Sequence, residues 1–186
     1  MSGSWLYQKC IVVIGGTTGI GLSAAQAFVE HGAKVVVVGR NEESVGKATA
    51  LLKEDGSGIA GDASQPGTAS RAIDLCKKKF GSFHGLYHVA GGSGRKFGDG
   101  PLHELTLEGW NQTFQLNLTS LMLSNQEAIK VFLEQKTPGT ILNMGSVLGF
   151  SPSPKHFVTH AYAATKSAVI GFTKSIASYY ATHDIR

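Results

Sequence analysis

Short β-branched runs and stretches with helical spacing take turns along this chain five times, with no room for a hairpin between them. "CIVVIGG" (10–16) is the first run, and its ending in glycine after β-branched residues marks a strand buried on both faces. "GIGLSAAQAFVEHGA" (19–33) follows with helical spacing at Ile20, Ala24, Ala27 and Phe28 and a stop at Gly32. "KVVVVGR" (34–40), a helix over 42–54, a short strand over 57–61, a helix over 67–80 and the strand "GLYHVAGG" (85–92) continue the series. A glycine-rich loop leads to a long helix over 106–136, and "GTILNMGS" (139–146) is the fifth strand. The proline-containing loop "FSPSPKHF" runs into a last helix at about 159–182. Strands joined by helices pair in parallel, and right-handed crossovers put the helices on both faces. The expected architecture is α/β: one domain over 1–186, built on a doubly wound parallel sheet.

"HDIR" follows the last helix where the alternation asks for another strand. The fifth strand would then be a bare, apolar edge, which natural sheets avoid. The expectation is a domain truncated after the helix that carries Tyr162 and Lys166, or an edge covered by something else.

Composition excludes several classes. The net charge is +4 and dispersed, and the one tight basic run, Lys77-Lys78-Lys79, reads as the solvated end of a helix, so no nucleic-acid partner is expected. The two cysteines, Cys10 and Cys76, suggest neither a disulfide framework nor a metal site. "MSGSWLYQKCIVVIGG" is no signal peptide, and no apolar run reaches bilayer length. A soluble, cytoplasmic protein with no membrane partner is the expectation.

The 24 glycines gather largely near 15–21 and 91–100, which points to special backbone geometry. "IGGTTGIG" sets Gly15, Gly19 and Gly21 between the first strand and its helix. Gly15 permits the turn, Gly19 lets a phosphate approach the backbone, and Gly21 lets helix and strand pack closely. The helix N-terminus supplies free N–H groups and partial positive charge for a pyrophosphate. The second strand ends in Gly39-Arg40, with no carboxylate for a ribose 2′-hydroxyl, and an Arg there suits a 2′-phosphate. Glu42 and Glu43 read as first-turn helix residues. The expected cofactor is NADP(H), ahead of NAD(H). In "AGDAS", the Asp62 carboxylate either accepts from an adenine amino group or caps the next helix.

"HAYAATKSAV" (160–169) puts a phenol, Tyr162, and an amine, Lys166, four positions apart and so on one helical face. An ammonium near a phenol favours the phenolate, which makes a better general base for an alcohol or general acid for a reduced carbonyl. Ser146, at the end of the fifth strand in "NMGSVLG", lies where ligands bind in open parallel sheets and can orient a substrate oxygen. Asn117, in "FQLNLTS", is a poor mid-helix residue, and with Phe114, Leu116 and Leu118 around it a buried polar role fits.

Taken together, "GGTTGIG", "GDAS", "VAGG", Asn117, Ser146 and "YAATK" make the whole chain resemble the short-chain dehydrogenase/reductase family. The resemblance implies a Rossmann fold, a nicotinamide cofactor and a tetrad of Asn117, Ser146, Tyr162 and Lys166. In that tetrad Tyr162 exchanges the proton, Ser146 steadies the carbonyl oxygen, Lys166 assists Tyr162 and holds the nicotinamide ribose, and Asn117 positions a water. The dinucleotide is expected to meet Gly15, Thr17, Thr18, Gly19, Ile20, Arg40, Asn41, Asp62, Ala63, Ala90, Gly91, Gly92, Tyr162 and Lys166. No metal is expected.

The chain departs from the family pattern in three places. Ile14 stands where Thr is frequent, His88-Val89 replaces the usual Asn-Asn before Ala90-Gly91, and the stretch from Ser146 to Tyr162 is longer, with Pro152 and Pro154 in it. Family members also continue past "DIR" into a substrate-binding segment. The implied activity is hydride transfer between NADP(H) and a carbonyl or secondary alcohol. The alternative is a dinucleotide-binding module or an inactive fragment. By the same resemblance a homo-oligomer, dimer or tetramer, is expected, with Trp110, Phe114, Met122, Phe172 and Tyr179 as candidates for its seam. Loops 92–104 and 150–160 would shape the substrate pocket, and Arg95 and Lys96 there suggest an anionic group.

Overall fold

The structure, a computed structural model, describes residues 4–186. Its strands are β1 (Cys10–Ile14), β2 (Lys34–Gly39), β3 (Gly56–Ala60), β4 (Gly85–His88) and β5 (Thr140–Asn143). They form one sheet in the order β3-β2-β1-β4-β5, and every pair is parallel. The helices are α1 (Gly19–Glu30), α2 (Glu42–Leu52), α3 (Thr68–Phe80), α4 (Leu107–Phe114), α5 (Ser120–Gln135) and α6 (His160–Tyr180).

Strand periodicity sorts the core into two layers. Val12, Ile14, Val36 and Val38 face Ala69, Ala72, Ile73 and Cys76 of α3 and Ala128, Ile129 and Phe132 of α5. Val13, Val35 and Val37 face Ala25 of α1 and Ala48 and Leu52 of α2. The helices therefore cover both faces, as the alternation predicts, and the sheet is doubly wound. In α3 the buried positions fall on one helical stripe, while Lys77, Lys78 and Lys79 occupy the last turn before Gly81, whose φ of 83° ends the helix.

The strands stop short of the apolar runs. β1 ends at Ile14, because Gly15 turns at φ 87°. β4 ends at His88, where the amides of Val89 and Ala90 both donate to the Ile14 carbonyl at 2.8 Å. The backbone thus leaves the ladder while its side chains are still apolar.

The predicted long helix over 106–136 is also not continuous. A π turn, Gln115–Thr119, separates α4 from α5. Three side chains here bond carbonyls four residues back: Thr113 to Gly109, Asn117 to Thr113 and Ser120 to Leu116. Such bonds compete with the α-helical ladder, and single π turns recur at functional sites.

The outer edge of β5 is not bare. After a short turn over 181–183, Ile185 pairs in parallel with Gly139, and the Ile141 amide donates to the Arg186 carbonyl at 2.6 Å. Ile185 is 4% exposed and belongs to the α3/α5 layer of the core.

Candidate active site

β1 is the strand from which the chain winds first toward β3 and then toward β5, and a cleft opens at the carboxyl ends of β1, β2 and β4. It measures about 480 Å³ and is lined by Gly15, Thr17, Thr18, Gly19, Ile20, Arg40, Asn41, Asp62, Ala63, Ala90 and Gly91, all singled out from the sequence. Ser44, Ser64, Leu116 and Ser120 also line it, and sequence reasoning missed them. Gly92, Tyr162 and Lys166 lie outside this lining.

The first turn is built for close approach. A Cβ on Gly21 would stand 2.1 Å from the Gly15 carbonyl oxygen, so α1 starts directly against the end of β1. Thr18 makes no side-chain cap, and the first turn of α1 holds no acidic residue. The leading amides of α1 therefore face the cleft without a side-chain partner, and a Cβ at Gly19 would have nothing within 4 Å. Arg40 is exposed at the end of β2 and forms no salt bridge among the described residues. Asn41 caps α2, its Oδ1 accepting the Ser44 amide at 2.9 Å.

Asp62 does not cap α3, whose N-cap is Gly67. Its carboxylate instead accepts from the amide and hydroxyl of Ser64, at 2.8 and 2.7 Å. Cap and turn draw on the same Asp chemistry, and the sequence left the choice open.

The four residues of the expected tetrad are held by different elements. Asn117 is fully buried in the π turn and clamps Gly92: Nδ2 donates to the Gly92 carbonyl and Oδ1 accepts the Gly92 amide, both at 2.9 Å. Its second amide hydrogen goes to the Thr113 carbonyl at 2.9 Å, which leaves one lone pair on Oδ1. Gly91 makes room for this clamp, since a Cβ there would lie 2.6 Å from Asn117 Oδ1 and 3.7 Å from Lys166 Nζ.

Lys166 and Tyr162 converge. Nζ lies 5.6 Å from the centroid of the phenol ring and donates to the Met144 carbonyl at 2.8 Å. Lys166 is 3% exposed, and burial pushes its ammonium below the ordinary value. Met144 is its one hydrogen-bond acceptor among the described residues.

Ser146 stands beyond the end of β5, at the head of a 3-10 turn over Val147–Gly149, where its Oγ accepts the Leu148 amide at 3.2 Å. That turn rests on α6. A Cβ on Gly149 would be 2.8 Å from the carbonyl carbon of Lys166.

Three further supports hold these elements, and of them only His88 stood out in the sequence. Asn125 and Asn143 exchange paired amide bonds at 2.9 Å, and Asn143 also reaches Thr173 at 3.1 Å, pinning the end of β5 to α5 and α6. His88 is 1% exposed, with Nδ1 2.7 Å from Ser124 Oγ and Nε2 3.1 Å from the Ala90 carbonyl. A carbonyl only accepts, so Nε2 carries the hydrogen and Nδ1 accepts from Ser124. Burial, followed by the positive charge of Lys166, pushes this imidazole down to about 3. His88 thus ties the end of β4 to α5 as a neutral ring. Asp99 is the third support.

Arg95 is occupied by its neighbour loop. It donates to the His156 carbonyl at 3.2 Å and lies over the Phe157 ring at 5.6 Å, so loops 92–104 and 150–160 touch. Of the five candidates for an oligomer seam, none is buried, and Tyr179 is 71% exposed. No described helix is long and apolar enough to cross a membrane.

The profile of a family described as short chain dehydrogenase matches residues 9–186. The chain is 30% identical over 184 residues to 2-(S)-hydroxypropyl-CoM dehydrogenase 3 of Xanthobacter autotrophicus, covering 97% of this chain and 69% of that protein. It is 32% identical to xanthoxin dehydrogenase of Arabidopsis thaliana, covering 97% and 63%. The chain therefore spans about two thirds of the length of these curated relatives. A crystal structure of 3-ketoacyl-(acyl-carrier-protein) reductase from Brucella melitensis, complexed with NADH, superposes with a TM-score of 0.88 at 25% identity, covering 97% of this chain and 74% of that one.

Proposed function

The chain belongs to the short chain dehydrogenase family, and on that premise we propose that it is an oxidoreductase that interconverts a carbonyl and a secondary alcohol with NADP(H). The observation that carries this reading is the buried Lys166 ammonium, which lies over the Tyr162 ring and beside Gly91 at the wall of the cleft. A charge is not buried for stability alone, since its desolvation costs several kcal/mol. With Met144 as its only acceptor among the described residues, Lys166 has donors to spare for ribose hydroxyls.

The cleft suits a dinucleotide. The uncapped start of α1 and the open space at Gly19 accommodate a pyrophosphate, and Arg40, without an ion pair among the described residues, donates to a 2′-phosphate. The chemistry a bound nicotinamide supplies is hydride transfer to or from the carbon that bears the oxygen.

The chain's own residues handle the proton. Tyr162 gives its phenolic hydrogen to the oxygen of a carbonyl under reduction, and takes it back in the reverse direction. The Ser146 hydroxyl hydrogen is uncommitted among the described residues and donates to that same oxygen. Lys166 holds positive charge by the ring where negative charge develops. The free lone pair of Asn117 accepts from a water that resupplies the proton. Association of copies through α4, α5 and α6 belongs to the same reading.

The test follows NADPH absorbance against a panel of ketones, with the 186-residue chain and with a form extended to the length of its relatives. Turnover by either form supports the reading. Binding of NADPH without turnover by both would leave a dinucleotide-binding module, and no binding would remove the reading altogether.

A further inference from the structure

Helix α6 begins without a cap of its own. Thr159 makes no side-chain cap, and the first turn holds no acidic residue. The leading amides are satisfied from a distant part of the chain instead. Asp99 Oδ1 accepts the Ala161 amide at 3.0 Å, and Oδ2 accepts the Tyr162 amide at 2.9 Å. Asp99 is 3% exposed, and no local pattern along the chain announces this part. Its negative charge lies at the positive end of a 21-residue helix, where it is favoured.

A local Ser, Thr or Asp would cap the helix equally well. The long-range carboxylate does something a local cap cannot: it fastens the start of α6 to the loop that leaves β4. Asp99 is itself held, since its amide donates to the Gly94 carbonyl at 3.1 Å. A Cβ on Gly94 would lie 2.9 Å from the Asp99 Cβ and 1.8 Å from Thr113 Oγ1, so the loop is packed tight onto α4. The same loop begins at Gly91, which lines the cleft, and Gly92, which Asn117 clamps.

We propose that Asp99 is a positioning residue for the reaction: by holding Tyr162's own backbone amide to the loop beside the cleft, it sets where the phenol meets the reacting oxygen. The proposal rests on the reading of Tyr162 as the proton donor. An offset of about 1 Å at a reacting group lowers rates up to about 10²-fold.

The experiment compares Asp99→Ala and Asp99→Asn with the unaltered protein, in the form that shows turnover. It measures kcat at saturating NADPH, NADPH affinity by fluorescence, the solvent deuterium isotope effect on kcat, and hydrogen exchange at the amides of residues 161 and 162. Asp99→Ala should lower kcat about 10- to 100-fold, leave NADPH affinity unchanged, raise the isotope effect and speed exchange. Asp99→Asn keeps one acceptor oxygen and should fall between. A partly unfolded variant loses active molecules but keeps the isotope effect of those that remain. A fall in kcat with an unaltered isotope effect therefore overturns the proposal, as does full kcat or unaltered exchange in Asp99→Ala. No turnover by the unaltered protein in either form overturns the reading of Tyr162 and this proposal together. Turnover by the unaltered protein and by Asp99→Ala at equal rates overturns the role of Asp99 alone.

Discussion

Asn117 grips Gly92 from both sides, its side-chain amide matching the carbonyl and the amide of one backbone unit at 2.9 Å each. The two residues are 25 positions apart, and the contact joins the π turn to the loop after β4. Two backbone groups of Gly92 and the Thr113 carbonyl depend on this one side chain.

Asn117→Ala takes this partner from the buried Thr113 carbonyl and from the half-buried amide and carbonyl of Gly92. A net loss of about 2–4 kcal/mol is expected, because unsatisfied buried groups cost about 1–3 kcal/mol each and entering water offsets part of it. Urea unfolding at neutral pH measures it. A loss below about 0.5 kcal/mol, the level of an ordinary surface substitution, would show that the clamp carries no weight.

Tyr162→Phe removes the phenolic oxygen and leaves the ring under Lys166. Removal of a general acid lowers kcat about 10²–10⁴-fold, while NADPH affinity stays close to that of the unaltered protein. Steady-state turnover with paired fluorescence titration reads both. A variant that turns over at a comparable rate would place the acid–base group elsewhere.

Arg40→Ala removes a cation that lines the cleft at the end of β2. A hydrogen bond to a charged group contributes about 1.5–3 kcal/mol, so NADPH binding should weaken about 10- to 100-fold. NADH has no 2′-phosphate and should bind as before. Equal effects on the two dinucleotides would refute the preference for NADP(H).

His88→Asn tests acid stability. The imidazole ionises near 6.5 in an unfolded chain and only at about 3 in the fold, because burial opposes its charge. A lowered folded value means that the unfolded chain binds the extra proton first. The neutral ring's contribution is whole above about 6.5 and is lost as pH falls toward 3. At 1.36 kcal/mol per pKa unit the loss reaches roughly 4–5 kcal/mol. Urea midpoints from pH 7 down to 4 should fall more steeply for the unaltered protein than for His88→Asn. Parallel curves would mean that His88 titrates in the fold as it does outside.

Much of this was readable along the chain. Val35 to Val38, bounded by turns, reads as a buried strand because every side chain must be covered on one face or the other. Tyr162 and Lys166 read as neighbours because a helix repeats every 3.6 residues, and no distant contact is needed to bring them together. The run "GGTTGIG" gave the cleft's first wall for a similar reason: its glycines are required by backbone contacts within a few residues, such as Gly21 against Gly15. The break in the long helix did not show, since Asn117 reads as a poor helix residue but not as one whose side chain seizes a loop 25 positions away.

Short-range periodicity therefore determined the elements, their parallel winding, the first turn and the Tyr–Lys face, since each depends on residues within one or two turns of one another. Tertiary structure alone decided the strand order, the π turn, the neutral state of His88, the turn made by Asp62 and the capping of α6 by Asp99. Each of these depends on which polar group from tens of residues away is brought within about 3 Å in a space that water cannot fill, and no local pattern records that meeting.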